Sequence, residues 1–413
     1  MHPTSTLHSW WIATGILAAA TASIPHVGAQ GAYDSPPVFT AINLLGAAGV
    51  KGPHYQIAEE VRTDEYFHEF TLSSTYGSVE AIGRTQLAVR IQEIAALAAL
   101  DDVSKTEVFL SAAGQSVVNV GKGAAAAVKD PEATVKGLGA GIKRFGVNLG
   151  RRTERAVEST TDDKSGGEGS GGSAAGSVLG VNAAMRRWAQ KVGADPYTTN
   201  AALRKALEDV AKVDAAGSIA TKVAVPIPGV VGLTSAVGGI VWGKDPEEVR
   251  KINEKTLGAL KVSEPIAKAL LGNRWFTLTY QTRLILALGA VNVSGAADYV
   301  DTASAAKSER EALFFVESAE MLQALHAREK VMGILTDSRA LVAIMAGGHA
   351  RALLPLDWLP WTAATHKALM QIAARARQEL KAARLEIALT GRESERARVE
   401  IPPTGWTVVP TKG

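Results

Sequence analysis

Residues 66–98 read YFHEFTLSSTYGSVEAIGRTQLAVRIQEIAALA, and the period of their apolar side chains changes once, at Arg84. Residues 66–72 are rich in aromatic and β-branched side chains, Thr75-Tyr76-Gly77 carries a turn signal, and residues 78–82 follow it, the pattern of strands joined by a tight turn. From Arg84 onward Leu87, Ile91, Ile94 and Ala98 lie three or four apart, so they share one face of a helix with Arg90 and Glu93 on the other. With the loose alternation of residues 54–62 upstream, the stretch predicts a small three-stranded antiparallel meander that hands over to helices. The expected fold class is α+β, predominantly α-helical.

Downstream, Ser104-Lys105-Thr106-Glu107 has the form of a capping box at a new helix start. Residues 161–176, a Gly/Ser run, bury too little apolar area to offset their ordering entropy, which predicts a flexible linker. Beyond it, helix starts recur with their caps: Asn200; Asp245-Pro246-Glu247-Glu248; Ser263-Glu264-Pro265 with Gly272 as a stop; and Ser308 with Glu311. Residues 341–345 and 350–354 flank Gly347-Gly348, the layout of a hairpin. A long final helix is expected over residues 364–389, ending at Gly391, with residues 405–409 adding an edge strand. The organisation expected is a signal peptide over 1–29, a meander with helices and a glycine-rich basic segment over 30–160, the linker over 161–176, and a helical domain over 177–413 whose hairpin lies near 341–354.

The signal peptide rests on a charge-free stretch. Residues 1–30 contain no Asp, Glu, Lys or Arg, residues 10–22 are nearly apolar, and Val27-Gly28-Ala29 has the small-residue spacing of a cleavage site. That apolar run spans roughly 20 Å as a helix, short of the roughly 30 Å hydrocarbon core. Cleavage near Ala29 and a bacterial periplasmic or secreted location are expected. The 413 residues contain no cysteine, which excludes a disulfide framework, a thiolate metal site and a cysteine nucleophile.

Two segments stand out. Lys122, Lys129, Lys136 and Lys143 fall seven apart, as do Val128, Val135, Ile142 and Leu149, an amphipathic helical pattern. Residues 120–155 hold eight basic and three acidic residues, an excess of five positive charges in a chain whose formal net charge is only +3. Five glycines between positions 137 and 150 each cost a helix about 1 kcal/mol relative to alanine, so an ordered helix here needs a surface to support it. That surface is another part of the same globule, an anionic bilayer or protein partner, or a polyanion. On anionic lipid each basic residue is worth about 1 kcal/mol. The segment lacks the interleaved aromatics that stack on bases, so nucleic acid is not expected as a partner. Lys122, Lys129, Lys136, Lys143, Arg144, Arg151 and Arg152 are the candidate membrane- or partner-binding residues. The second segment, residues 223–243, has 21 residues without a charge, yet Pro226, Pro228 and five glycines favour a buried core segment or re-entrant hairpin over a straight span.

Catalytic patterns are sparse. Gly238–Lys244 has phosphate-loop spacing, but Asp245 stands where a hydroxyl would hold magnesium and would repel phosphate. Asp64-Glu65-Tyr66-Phe67-His68-Glu69 is the densest group of potential ligands, and it reads as a half-buried strand because His68 and Glu69 point to opposite faces. The two tryptophans of Asp357-Trp358-Leu359-Pro360-Trp361 read as an apolar plug where a strand meets a helix, or as the lining of a ligand groove. No metal site and no cofactor are indicated.

Residues 104–113, Lys129-Asp130-Pro131 leading into residues 137–145, and Ala194-Asp195-Pro196-Tyr197-Thr198-Thr199-Asn200 resemble a group of exported proteobacterial proteins with no assigned activity. The resemblance implies export and an α-rich fold and carries no catalytic residue. The function expected is a non-enzymatic envelope protein that contacts membrane or a protein partner through its basic segment. Two alternatives are a periplasmic hydrolase whose site near the meander and hairpin draws on His68, Glu69 and His349, and a toxin-like membrane permeabiliser.

Overall fold

The change of period at Arg84 marks the edge of a five-stranded sheet. The computed structural model describes residues 33–107, 109–111, 171–217, 233–337 and 339–411. Its first sheet comprises β1 (Val38–Thr40), β2 (Tyr55–Ile57), β3 (Glu60–Asp64), β4 (Phe67–Ser74) and β5 (Gly77–Ile82), with the short helix α1 (Ala41–Leu45) after β1. The expected meander is present, with its first strand divided. β3 pairs with the first half of β4 and β2 with the second half, β5 pairs with the other edge, and β1 adds to β3, all antiparallel. Phe70 and Leu72 alternate into a core with Ile57, Val61, Ala81, Leu87 and Ile94. Each of the large side chains among these contributes about 1.5–3 kcal/mol when fully buried.

The chain turns from β5 into α2 (Arg84–Ser104) at Gly83, whose φ of +92° is one that L side chains rarely adopt. Helix α2 serves two cores. Leu87 and Ile94 lie under the sheet, whereas Leu97, Leu100 and Val103 join a helical cluster with α3 (Gly171–Lys191) and α4 (Ala201–Gly217). The capping box expected at Ser104 is displaced: Ser104 is the last residue of α2 and its hydroxyl bonds Asp101 O, while Thr106 Oγ1 accepts from Phe109 N at the next helical stretch. Helix α3 starts at Gly171, inside the expected Gly/Ser linker, whose residues 161–170 lie outside the described residues.

Six helices follow: α5 (Ser235–Val241), α6 (Pro246–Ala259), α7 (Glu264–Gly272), α8 (Leu278–Val291), α9 (Ala296–Ser304) and α10 (Glu309–His326). The starts of α4, α6, α7 and α10 are where the sequence places them, whereas those of α5, α8 and α9, at Thr234, Thr277 and Gly295, were not foreseen. Asn200 Oδ1 accepts from Ala202 N and Leu203 N, Asp245 from Glu248 N, and Ser308 from Glu311 N. Of the charge-free run 223–243, residues 233–243 are described and contain α5; residues 223–232 lie outside. No helix among the described residues is long and apolar enough to cross a membrane.

The C-terminal region departs most from expectation. The hairpin is there, as β7 (Ala340–Met345) and β8 (His349–Leu354), with Gly348 at φ +74° in its turn. It belongs to a five-stranded mixed sheet ordered β12-β10-β8-β7-β6, in which β6 is Val331–Asp337, β10 is Arg384–Leu389 and β12 is Trp406–Pro410. The long final helix is corrected to α11 (Ala363–Leu380), which stops at Lys381 in the left-handed region, φ 52°. The residues beyond it form β10, parallel to both β8 and β12, with Leu385, Ile387 and Leu389 alternating into the core. Gly391 ends no helix. A side-chain carbon there would lie 2.0 Å from Asp357 O, so glycine lets two backbones meet. The short parallel pair β9 (Trp358–Leu359) and β11 (Arg392–Glu393) forms beside it, and α12 (Glu395–Glu400) leads to β12.

Candidate functional site

All seven candidate cations, Lys122, Lys129, Lys136, Lys143, Arg144, Arg151 and Arg152, lie outside the described residues, as do residues 1–29. The chain is described up to residue 111 and again from residue 171, and both stretches contribute to one place. Phe109 before it and Trp188 after it are both fully buried in the cluster of α2, α3 and α4 with Leu97, Leu100, Leu203 and Leu207.

Helix α2 brings Arg90 and Glu93 not to solvent, as their spacing suggests, but into a buried polar network. Arg90 pairs with Glu93 at 2.9 Å and with Glu309 at 3.4 Å, and donates to Thr199 Oγ1 at 3.1 Å. Glu93 also accepts from the Thr198 hydroxyl and from Asn200 Nδ2, and Glu309 accepts from the Thr199 and Tyr280 hydroxyls. Burial opposes the charge on Arg90, but Glu93 and Glu309 outweigh it and hold the guanidinium above its ordinary pKa. Beside the network, burial pushes Asp195 up to about 6, against hydrogen bonds from Thr279 Oγ1 and Tyr197 N. The network stitches α2 to the starts of α4 and α10, and each of these charges has a named partner.

At the first turn of α2, a cleft of about 400 Å³ opens between β4, the start of α2, α10 and the loop after β8. Asp357 fixes that loop to the meander: its carboxylate accepts from His68 N at 3.0 Å and Arg84 N at 3.3 Å, while Asp357 N and Trp358 N both donate to Tyr66 O. Burial raises the Asp357 pKa, and the two backbone donors and Arg84 pull it back. Trp358 packs edge-on against Phe39 at 5.3 Å and Trp361 is buried beside His366, so the tryptophan loop plugs the junction where a strand meets a helix.

Glu317 of α10 lines the cleft. Surrounding protein pushes its carboxyl up to about 7; a hydrogen bond with Thr85 and the charge of Arg283 oppose this, and Glu320 and Asp357 reinforce it. Its neighbours are committed elsewhere. Arg283 holds Glu320 through two contacts of 2.8 Å, and Arg310 pairs with Asp64 at 3.0 Å while lying 5.4 Å over the Phe67 ring. Among the described residues Glu317 has no ion pair. Perturbed carboxyls in a cleft mark candidate sites, and sequence spacing offered no signal for this one, because Thr85, Glu317 and Asp357 come from three distant segments.

The residues named for a hydrolase are not brought together. His68 is buried in the first sheet with Thr63 Oγ1 on its Nδ1 at 2.9 Å and Phe39 and Phe70 around its ring. Burial, and then Arg84, lower its pKa to about 4. Glu69 faces outward, and His349 sits in the second sheet, 3.2 Å from Glu329 and 3.7 Å from Glu386. Among the described residues no hydrogen bond, ion pair or ring contact joins the three, and no cluster of His, Asp and Glu has the makings of a metal site. No family model matches the chain, and neither a curated protein nor a solved structure does.

Proposed function

We propose that this is a non-enzymatic exported envelope protein whose folded body presents the basic segment, residues 120–155, to an anionic membrane surface or an envelope protein. The carrying observation is the sequence's concentration of charge: an excess of five positive charges, four lysines among them at seven-residue spacing, within 36 residues of a chain that is otherwise nearly balanced. Support comes from the described stretches on either side, since Phe109, 11 residues before the segment, and Trp188, 33 residues after it, both sit in the one helical cluster. Export is proposed on the charge-free, small-residue pattern of residues 1–29.

The test is co-sedimentation of the chain from residue 30 onward with vesicles rich in phosphatidylglycerol. Replacing Lys136, Lys143, Arg144, Arg151 and Arg152 by Glu should reduce the pelleted fraction to the level seen with neutral phosphatidylcholine vesicles. Unchanged pelleting removes the proposal. Release of a trapped dye from the same vesicles would instead favour a permeabiliser.

A further inference from the structure

We infer that the cleft between β4, the start of α2 and α10 is a binding site for a small amphipathic organic cation, its ammonium against the Glu317 carboxylate and its apolar body against Phe67, Leu313, Met321 and Ala324. The cleft, about 400 Å³, falls within the size range of small-molecule sites, and its walls combine those apolar side chains with a few polar groups.

The charge inventory selects a cation. Glu320 is matched by Arg283 and Asp64 by Arg310, and Asp357 has two backbone donors with Arg84 beside it. Arg84 is exposed at the mouth, where it also reaches Leu44 O at 3.4 Å. Arg283 and Arg310 each face an acid already, Arg84 at the mouth donates to Leu44 O with its charge near Asp357, and Glu317 is the carboxyl left without an ion pair. With Glu317 protonated the cleft is neutral; with Glu317 ionised it carries one uncompensated negative charge. A buried carboxylate is stable when an opposite charge sits against it, and its cost falls on the fold when none does. An entering ammonium supplies that charge. An entering carboxylate would meet Glu317, Glu320 and Asp357 with no free guanidinium inside.

Binding is then coupled to a proton. At pH 6 the free cleft holds Glu317 mostly as the acid, and the arriving ammonium drives its proton to the buffer. The other charged groups facing Glu317 are Arg283 from α8, Glu320 and Arg310 from α10, Arg84 from α2, and Asp357. Affinity should rise as pH rises toward about 7 and level off above it.

Isothermal titration with n-hexylamine, against the neutral 1-hexanol and the anionic hexanoate, tests this. Expected are saturable binding of hexylamine alone, affinity roughly eightfold higher at pH 6.5 than at pH 5.5, and heats at pH 6 that vary with the buffer's ionisation enthalpy as a proton is released. Glu317→Gln should weaken hexylamine more than tenfold and abolish the proton release. Met321→Trp, which keeps the carboxyl and fills the cleft, should also lose binding, with melting curves verifying that each variant folds. No saturable binding, equal binding of hexanol, preference for hexanoate, or binding indifferent to Glu317→Gln overturns the inference.

Discussion

The Arg90 network and the Glu317 cleft are built from the same elements, α2 and α10, and treat buried charge in opposite ways. In the first, Arg90, Glu93 and Glu309 are matched to one another and to the hydroxyls and amide of Thr198, Thr199, Asn200 and Tyr280. In the second, Arg283–Glu320 and Arg310–Asp64 close on themselves and leave Glu317 with only the Thr85 hydroxyl. The difference separates charge spent on holding elements together from charge left available. Breaking a closed network exposes a partner to an uncompensated buried charge, whereas neutralising an unmatched carboxyl relieves one.

The largest expected consequence is in the network. Arg90→Met should lower unfolding free energy by about 3–5 kcal/mol, measured by urea denaturation at pH 7, because it strands Glu93 and Glu309. A loss below about 1 kcal/mol would mean that the network does not join α2 to α10 energetically.

The cleft should respond in the other direction. Glu317 binds its proton more tightly in the folded chain, near pH 7, than in the unfolded chain, near pH 4.5. Its contribution is therefore fully present below pH 4.5 and is lost as pH rises through about 7. Glu317→Gln should remove that decline, so that its stability relative to the original protein improves by roughly 2 kcal/mol between pH 4.5 and pH 8. Asp195 titrates in the same direction with a pKa near 6, so the difference between the two proteins, not either curve, isolates Glu317. A pH-independent difference would mean that folding leaves the Glu317 pKa unshifted, and a difference of opposite sign would place a cation against it.

His68 gives the smaller, opposite signature. Its folded pKa of about 4 lies below the ordinary 6.5, so stability is fully present above pH 6.5 and is lost as pH falls toward 4. His68→Gln, which retains a hydrogen-bonding group toward Thr63, should flatten that limb by roughly 1–2 kcal/mol in acid titrations of thermal stability. An unaltered acid limb would mean that the imidazole titrates freely, contrary to its burial.

Much of the fold was legible because its signals are local. The period change at Arg84, the caps at Asn200, Asp245 and Ser308, the Gly347-Gly348 turn and the terminal strand at Trp406 are each set within a few residues. Strand β10 was not, since Ala382-Ala383-Arg384 continues the helical composition of α11 and its parallel partners lie about 20 and 35 residues away. Arg90 and Glu93 read as a solvated helix face for the same reason. Their partners Thr198, Thr199, Asn200 and Glu309 come from more than 100 residues on, and nothing near α2 announces them. The cleft is a third instance: its carboxyl looks like an ordinary surface glutamate on α10 until the loop after β8, pinned by Asp357 and admitted by Gly391, is brought beside it.

Apart from the Glu317 cleft, the cation excess of residues 120–155 is the feature through which the chain is proposed to meet its surroundings. Its most direct test compares the chain from residue 30 with the same chain lacking residues 120–155 in co-sedimentation with anionic vesicles at two salt concentrations. The account predicts that the longer chain pellets at low salt, is released as salt screens its lysines and arginines, and that the shortened chain stays in the supernatant while keeping its melting transition. Equal pelleting of both chains, or none of either, would contradict it.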